Sequence, residues 1–577
     1  MAYHSAKEDT RWDNPIYHER PIRVICIGAG ASGLLFAYKL QRSFRNFSLT
    51  VYDKNADVSG TWTENRYPGC ACDVPSHSYA YTFFPNPNYT HSYSGSEEIR
   101  KYFQRFASTF GLHHYIKTKL EVQGATWDDA QDKWVVKVKD FESGETITDT
   151  GDFLINATGF LNNWKWPNVP GLDKFKGDLV HTAAWPEDLD LRGKRVGLIG
   201  NGSSGIQVLP AIQPEVRSLT TFIRHNTWIT KPFGKDGPRA YSEEEMREFQ
   251  NPDVLLGYRK EAEAVMHDMF AVFLRDHPVQ QEARKIMAEE MDRRLNGDKE
   301  LSTRLIPTWS VGCRRYTPGP GYLEALRAPN VHVVYGGVTE VLPNGCKTST
   351  GETFELDTLI CATGFDVSHR PRFPLVGRHG VNLQDAWAKS PHSYMSLGAP
   401  HMPNYIMLMG PNSPAGNGPV LQAIEAQVAY ATRMIDHAAI ADFNEYVDAF
   451  MEKTVWKDAC KSWYKNGTTD GRVTGLWPGS ALHFTEAIRE PRWDDWDVTY
   501  KGNCFAWLGN GYSQTETTPG ADLAWYLSNE DKTEWGSKWK RREEEILPNG
   551  RTQEGKSNTV EEEMEEGARR DSAAAVA

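Results

Sequence analysis

The chain has 577 residues, 24% of them charged and 40% hydrophobic. That length predicts about four domain-sized units and a core that needs neither disulfides nor metals to hold it. A formal charge of −12 gives nucleic-acid binding no support from bulk electrostatics, and no run approaches 18 apolar residues, so no transmembrane helix is expected. The unusual number is aromatic, 19 Trp, 24 Tyr and 24 Phe, which fits either a cofactor cavity or simply a large core.

Residues 1–20 read as a polar arm without the apolar segment of a secretory signal. Residues 21–53 read as strand, glycine turn, helix and strand. The helix carries Leu34, Leu35, Ala37, Tyr38 and Leu40, and the second strand is Leu49–Tyr52. Residues 133–139 and 144–150 predict a β-hairpin, and a turn-rich connection follows at 161–172. A second strand, glycine turn and helix begin at Arg195. Residues 243–300 are charged and periodic, with Val265, Met269 and Val272 or Phe273 on one helical face. Strand-like sequence resumes near 331, and 420–454 reads as helical. From 541 onward there are 10 acidic and 6 basic residues with almost no apolar periodicity, which predicts a disordered tail. The eight cysteines (26, 70, 72, 313, 346, 361, 460 and 504) show no C-x-x-C and no metal-ligand spacing, so reduced cytosolic thiols and no metal site are expected.

Two glycine signatures carry the chemistry. Gly28-Ala-Gly30-Ala-Ser32-Gly33 follows a predicted strand and opens a predicted helix. That placement permits a tight turn, close approach to a pyrophosphate and a phosphate at the helix N-terminus. Asp53, twenty residues after Gly33, ends the next strand, where a carboxylate binds ribose hydroxyls. Gly200-Asn-Gly202-Ser203-Ser204-Gly205 repeats the arrangement, but Arg224 ends its following strand. A guanidinium there favours a 2′-phosphate and hence NADP; the plainer alternative is a solvated surface arginine. Two short turns, 156–160 and 361–366, each follow an apolar strand and would bring the chain past a cofactor. Two such sites imply electron traffic between FAD and NADPH. A disulfide reductase is disfavoured, because Cys70 and Cys72, separated by one residue, are too close for its redox bond and no other cysteine pair has its spacing.

Three further stretches narrow the class. Phe175-x-Gly177-x-x-x-His181-x-x-x-Trp185-Pro186, Gly60-Thr61-Trp62-x-x-x-x-Tyr67-Pro68-Gly69-x-x-x-Asp73 and Gly312-Cys313-Arg314-Arg315 resemble the type I Baeyer–Villiger monooxygenases. The resemblance spans about residues 20 to 500, and the sequences around Trp463 and Trp477 look like the family's fungal branch. Two positions depart from the family's usual pattern: Ser59 stands before the motif glycine, and Asp53 stands where Glu is common.

The resemblance implies an α/β fold with two Rossmann-like dinucleotide-binding domains, the NADP domain inserted in the FAD domain, and a helical insertion. The implied partition is an arm at 1–20, FAD-binding segments at 21–165 and 366–540, NADP-binding segments at 166–232 and 308–365, the helical insertion at 233–307 and the tail at 541–577. It implies an FAD- and NADPH-dependent enzyme that inserts one oxygen atom from O2 next to a ketone carbonyl by way of a C4a-peroxyflavin, giving an ester or lactone. Arg315 would be the fixed cation that stabilises the anionic intermediates, and Asp73 would orient it. Arg314 would bind nicotinamide-nucleotide phosphate. Thr61, Trp62, Tyr79 and the turn at Asn412 would lie near the flavin; for Trp62 and Tyr79 core packing is the alternative. His181 and Trp185 would sit on a linker and couple domain rotation to catalysis, with direct acid–base chemistry by His181 disfavoured. Trp463 would lie on a loop closing over nicotinamide and substrate.

The expected partners are O2 and a small-molecule ketone, bulky or polycyclic and from secondary metabolism, in a cytoplasmic monomer or weak homo-oligomer. Two competing readings share the cofactor motifs: a flavin monooxygenase hydroxylating N, S or another carbon substrate, and a non-catalytic nucleotide-binding protein.

Overall fold

The computed structural model describes residues 21–44, 46–230, 232, 237–416, 420–432 and 447–488. The arm at 1–20, the tail from 541 and the rest of the chain beyond 488 lie outside the described residues. So do residues 433–446 of the expected helix at 420–454, of which Val420–Ala431 and 447–451 are helical.

Two all-parallel five-stranded sheets organise the molecule. The first runs Tyr405–Met407, Phe153–Asn156, Ile22–Ile27, Phe47–Tyr52, Ile116–Lys117. The second runs Val331–Tyr335, Ser218–Ile223, Arg195–Ile199, Thr358–Cys361, Asp178–His181. The chain leaves the first sheet after Asn156, builds the second, and returns to the first at Tyr405. The outgoing and returning segments meet at a bridge between Trp164 and Phe365. This is the inserted arrangement of two Rossmann-like domains that the motifs predict. The expected hairpin is Lys133–Asp140 paired antiparallel with Thr146–Gly151, within a separate four-stranded sheet.

Parallel register aligns the strand ends. Ile27 lies opposite Tyr52 and Asn156, and Ile199 lies opposite Phe222 and Cys361. Ligands of open parallel sheets bind beyond these carboxyl ends. The helix Ala31–Ser43 follows the first glycine turn and buries Leu34, Leu35, Ala37, Tyr38 and Leu40. The helix Ser203–Ile212 follows the second.

The segment read as a helical insertion contains the helices Glu243–Glu248, Pro252–Asp268, Pro278–Arg294 and Lys299–Leu305. Its expected face needs one correction. Val265 is 40% exposed, and Met266 is buried in its place beside Val272 and Phe273. The α-helix ends at Asp268 and continues as a 3-10 turn over Met269–Phe273. A 3-10 turn winds faster than an α-helix, so a face extrapolated at α-helical phase drifts across the junction.

The insertion packs on the first sheet's loops, where His77 meets the rings of Tyr241, Phe249 and Tyr258, and one residue clamps the 77–82 backbone. Arg259, buried, donates to the carbonyls of His77 (2.9 Å), Ala80 (3.4 Å), Tyr81 (3.1 Å) and Thr82 (3.1 Å). Glu425 accepts from the Thr82 backbone N–H and hydroxyl, fixing the same segment from the other side. Replacing Arg259 by Leu strands carbonyls that cannot reach water, and each stranded group costs about 1–3 kcal/mol. Arg259→Leu is therefore expected to lower unfolding stability by about 3 kcal/mol or more, read by chemical denaturation. A loss indistinguishable from zero would show that the clamp does not support the 77–82 segment.

Candidate active site

Both glycine turns open into one cavity of about 760 Å³. Gly28, Gly30, Ser32 and Asp53 line it from the first sheet, and Gly200, Gly202, Ser203, Ser204 and Arg224 from the second. The two small-residue returns, 157–160 and 362–365, line it as well.

The turns pass a direct test of fit to dinucleotides. Gly28 and Gly200 have φ of 104° and 108°, and a Cβ on either would come within 2.6 Å and 2.5 Å of the carbonyl oxygens of Ala157 and Ala362. Gly33 and Gly205 stand behind the wall, where a Cβ would overlap the oxygens of Gly28 and Gly200. A Cβ on Gly202 meets nothing within 4 Å, so the second turn leaves open space at the helix N-terminus, where a pyrophosphate binds. Asp53 is 6% exposed; its Oδ2 accepts from the Ala29 N–H at 2.7 Å and its Oδ1 from Asn55 at 2.8 Å. Burial pushes the Asp53 carboxyl above its ordinary value, against the pull of these two bonds.

Trp62 and Tyr79 meet edge to face at 5.5 Å, and the Trp62 indole N–H donates to the Tyr79 hydroxyl at 3.1 Å. Both line the cavity with Thr61, so they have packing partners and a cavity face together. Ser59, the departure noted above, has φ 91°; its hydroxyl donates to the Arg100 carbonyl at 3.1 Å, which accounts for a polar side chain in this buried position. The Tyr67-Pro68-Gly69 turn welds the two sheets' loops. The Tyr67 hydroxyl donates to Gln207 Oε1 at 2.8 Å, and Gln207 Nε2 donates to the Ala71 carbonyl at 2.9 Å.

Arg315 lines the same cavity as the two turns. Its Nε and Nη2 donate to the two Asp73 oxygens at 2.6 and 2.7 Å, and its Nη1 donates to the Ala415 carbonyl at 3.0 Å. The 35% of its side chain that stays accessible belongs to a residue of the cavity wall. Burial works against the charge, but the Asp73 carboxylate and its hydrogen bonds more than restore it, so the group titrates above its ordinary range. Arg314 donates to the carbonyls of Lys461 (2.9 Å) and Asn226 (3.2 Å) and to the Thr227 hydroxyl (3.1 Å). Burial draws it below its ordinary value.

Not every expected residue faces the cavity. His181 and Trp185 are not in its wall. His181 ends an edge strand of the second sheet instead of lying on a free linker. Its Nδ1 accepts from the Ala183 N–H at 3.1 Å and its ring stacks on Trp164 at 4.5 Å. Asn412 is fully buried with φ 64°, and its Nδ2 donates to the carbonyls of Val473 (3.3 Å) and Leu476 (3.1 Å). It thereby fixes the segment after Trp463. Trp463 does line the cavity and stacks on Phe160 at 5.4 Å.

Two wall features had no separate signal in the sequence. Lys461 and His225 join Arg224 and Arg314 in the wall. Burial and the charges of Arg314, Arg224 and Lys461 hold His225 below its ordinary value. The expectation of reduced, scattered thiols is corrected for one pair, because Cys313 and Cys460 form a disulfide across 147 residues of chain. Sequence spacing over that distance carries no information about contact. Cys26, Cys70, Cys72, Cys346 and Cys361 are free and buried, while Cys504 lies outside the described residues.

Two parallel nucleotide sheets that share one arginine-walled cavity define a dinucleotide-dependent oxidoreductase. Residues 26–104 match the family model of the NAD(P)-binding Rossmann-like domain. The chain is 38% identical over 554 residues to the FAD-binding monooxygenase stcW of Emericella nidulans, with 92% of each chain covered. It is 34% identical over 495 residues to a Baeyer-Villiger monooxygenase of Streptomyces coelicolor, covering 82% of this chain and 91% of that one. Among solved structures it superposes on the NADP+-bound cyclohexanone monooxygenase from Rhodococcus sp. Phi1 with a TM-score of 0.70 at 26% identity, covering 81% and 97% of the two chains. The chain belongs to the Baeyer–Villiger family of FAD-binding monooxygenases, and its cofactors are FAD and NADPH. No helix among the described residues is long and apolar enough to cross a membrane.

Two outcomes are expected here. Gly205→Val pushes a side chain into the Gly200 carbonyl, so NADP+ binding is lost while the flavin content of purified enzyme is retained; equal loss of both would refute separate sites. Burial pushes His77, His181 and His369 down to about 4, from an ordinary value of 6.5. Between those values the unfolded chain binds more protons than the folded one, so stability rises with pH through that window. Denaturant titrations should show stability falling as pH is lowered from 6.5 toward 4, with a shallower slope in His181→Gln.

Proposed function

We propose that this monooxygenase inserts one oxygen atom of O2 beside the carbonyl of a ketone, giving an ester or lactone. The observation that carries the reading is Arg315, a permanent cation held bidentately by Asp73 in the wall of the cavity that both glycine turns line. When bound, the flavin would supply a hydride acceptor for NADPH and, in its reduced form, the activation of O2. The protein's task is then to stabilise negative charge, first on the oxygen nucleophile and then on the tetrahedral adduct with the ketone. Arg315 suits both, because guanidinium does not deprotonate at working pH and a preorganised charge in a water-poor site contributes about 3 kcal/mol or more. Asp73 orients Arg315 and sets its position.

In this reading Gly28, Gly30, Ser32, Gly33 and Asp53 hold the flavin nucleotide, with Thr61, Trp62 and Tyr79 near its ring. Gly200, Gly202, Ser203, Ser204 and Gly205 hold the NADPH pyrophosphate. Arg224 and Arg314 take its phosphates. Arg224 is exposed in the wall and has no hydrogen bond to protein among the described residues, which leaves its fork available for a 2′-phosphate. Trp463 would face nicotinamide and substrate. Asn412, His181 and Trp185 would act at one remove, by fixing the backbone around the cavity and the edge of the second sheet. The FAD-binding region would comprise 21–165 and 366–540, and the NADP-binding region 166–232 and 308–365. Phe160, Leu161, Phe365, Val367, Phe373 and Trp463 give the cavity an apolar wall that fits a bulky or polycyclic ketone of secondary metabolism.

The test combines a panel of ketones, amines and thioethers with NADPH and isotope-labelled O2. Ketones gaining one labelled oxygen are expected; label entering only amines or thioethers would assign N- or S-oxidation instead. Arg315→Ala should keep flavin reduction by NADPH within about threefold while oxygenated product falls by a factor of about 100 or more. Lactone formation at the parent rate would remove Arg315 from the chemistry.

A further inference from the structure

The disulfide lies at the cavity's edge. Cys313 immediately precedes Arg314 and Arg315, and Cys460 immediately precedes Lys461. The bond therefore ties the arm that carries both arginines to the turn that carries Lys461 and Trp463. Weaker contacts follow the same seam. Arg314 donates to the Lys461 carbonyl at 2.9 Å. Asp458 pairs with Arg275 at 2.8 Å and accepts from the Ser310 hydroxyl. The buried Lys465 amine donates to the Asp458 carbonyl.

The bridge joins two loop residues, neither of which belongs to a strand of either parallel sheet. Both cysteines are buried, at 0% and 5% exposure. Breaking the bond removes a link between two loops and no hydrogen bond of either parallel sheet. What it changes is the tie between the arginine arm and the Lys461–Trp463 turn, both of which contribute to the cavity wall.

We propose that the Cys313–Cys460 bridge is a redox-controlled tether that holds the Lys461–Trp463 turn against the arginine arm and so sets how tightly the nicotinamide nucleotide is retained. The nucleotide half of this proposal rests on the function proposed above; the tether does not. The reductant is a dithiol. One of its thiolates attacks the Cys460 sulfur, the less buried of the two, and releases Cys313. Its second thiol then displaces Cys460 from the mixed disulfide. The S–S bond is broken, two electrons and two protons pass to the cysteines, and the dithiol leaves as its own disulfide. In the reduced form the seam is held by hydrogen bonds and an ion pair that exchange with water.

The experiment uses full-length, FAD-loaded protein purified without reductant. Alkylation with N-ethylmaleimide before and after dithiothreitol, followed by peptide mapping, should give a linked Cys313–Cys460 peptide that disappears on reduction. NADP+ affinity is then measured by calorimetry for the oxidised, the reduced and the Cys460→Ser protein. If the freed turn occupies its closed position a tenth of the time, NADP+ binds about tenfold more weakly in the last two. Flavin content should be the same in all three, and Cys460→Ser should no longer respond to dithiothreitol. Trypsin should also cut after Lys461 and Lys465 faster in the reduced protein, a readout independent of any nucleotide. Free alkylation of both cysteines without reductant would eliminate the tether. An intact bridge whose reduction changes neither NADP+ affinity nor cleavage would reduce it to a static link and overturn the proposal. Should NADP+ bind none of the three forms while the linked peptide is present and reduction speeds cleavage, the reading of the cavity fails and the tether stands alone.

Discussion

The ion pair between Arg315 and Asp73 is the constraint on which the rest of the site depends. A guanidinium surrounded by protein is costly unless its charge is met at close range with good geometry. Asp73 meets it with both oxygens, and the Ala415 carbonyl takes a third donor. The three residues come from distant parts of the chain: Asp73 from the loops of the first sheet, Arg315 from the segment after the helical insertion, and Ala415 from the return to the first sheet. The charge is placed only when all three segments are placed. That makes the pair a link between distant segments as well as a chemical feature, because removing either partner leaves the other charge in the cavity wall without its counter-ion.

The surrounding elements serve that placement in recognisable ways. The glycine turns bring backbone to the cavity where a side chain would collide with Ala157 or Ala362. The Tyr67–Gln207–Ala71 hydrogen bonds fix the loop of Asp73 to the helix Ser203–Ile212. Arg259 holds the 77–82 backbone from the side of the helical insertion. The aromatic excess divides accordingly. Trp62, Tyr79, Phe160 and Trp463 face the cavity, whereas Trp134, Trp456, Tyr81, Tyr89 and Tyr102 are fully buried packing residues.

Legibility from sequence followed the range of the interaction. The glycine turns, Asp53 and Arg224 were readable because strand, turn and helix are consecutive in the chain and steric exclusion at Gly28 or Gly200 is local. Asp73 and Arg315 are 242 residues apart; no periodicity joins them, and only the resemblance to a family brought them together. The Cys313–Cys460 bond had no such aid and was missed. The error at Val265 has a different origin, a change of helical winding at Asp268 that hydrophobic spacing does not register. Asp178–His181 is a four-residue edge strand, too short to stand out by alternation, so the motif that carries His181 reads as a linker in the sequence.

Charge offers the last link between composition and site. The chain is acidic overall, at −12, and bulk potential would repel a nicotinamide nucleotide carrying its own negative phosphates. The cavity wall reverses that sign locally by gathering Arg224, Arg314 and Lys461. Fields in a cleft with low-dielectric walls are set by the nearest charges, because solvent ions screen the remote ones within about 8 Å at physiological salt. The cluster's own electrostatics point the same way: burial together with Arg314, Arg224 and Lys461 depresses His225 below its ordinary value, as expected where positive charges already crowd one another. Such crowding is a standing cost to the free protein, and a polyanion bound in the wall would relieve it. Under the proposed function, affinity for a phosphorylated dinucleotide would depend on how closely the Lys461 turn is held beside Arg314, and the net charge of the chain would have little bearing on it.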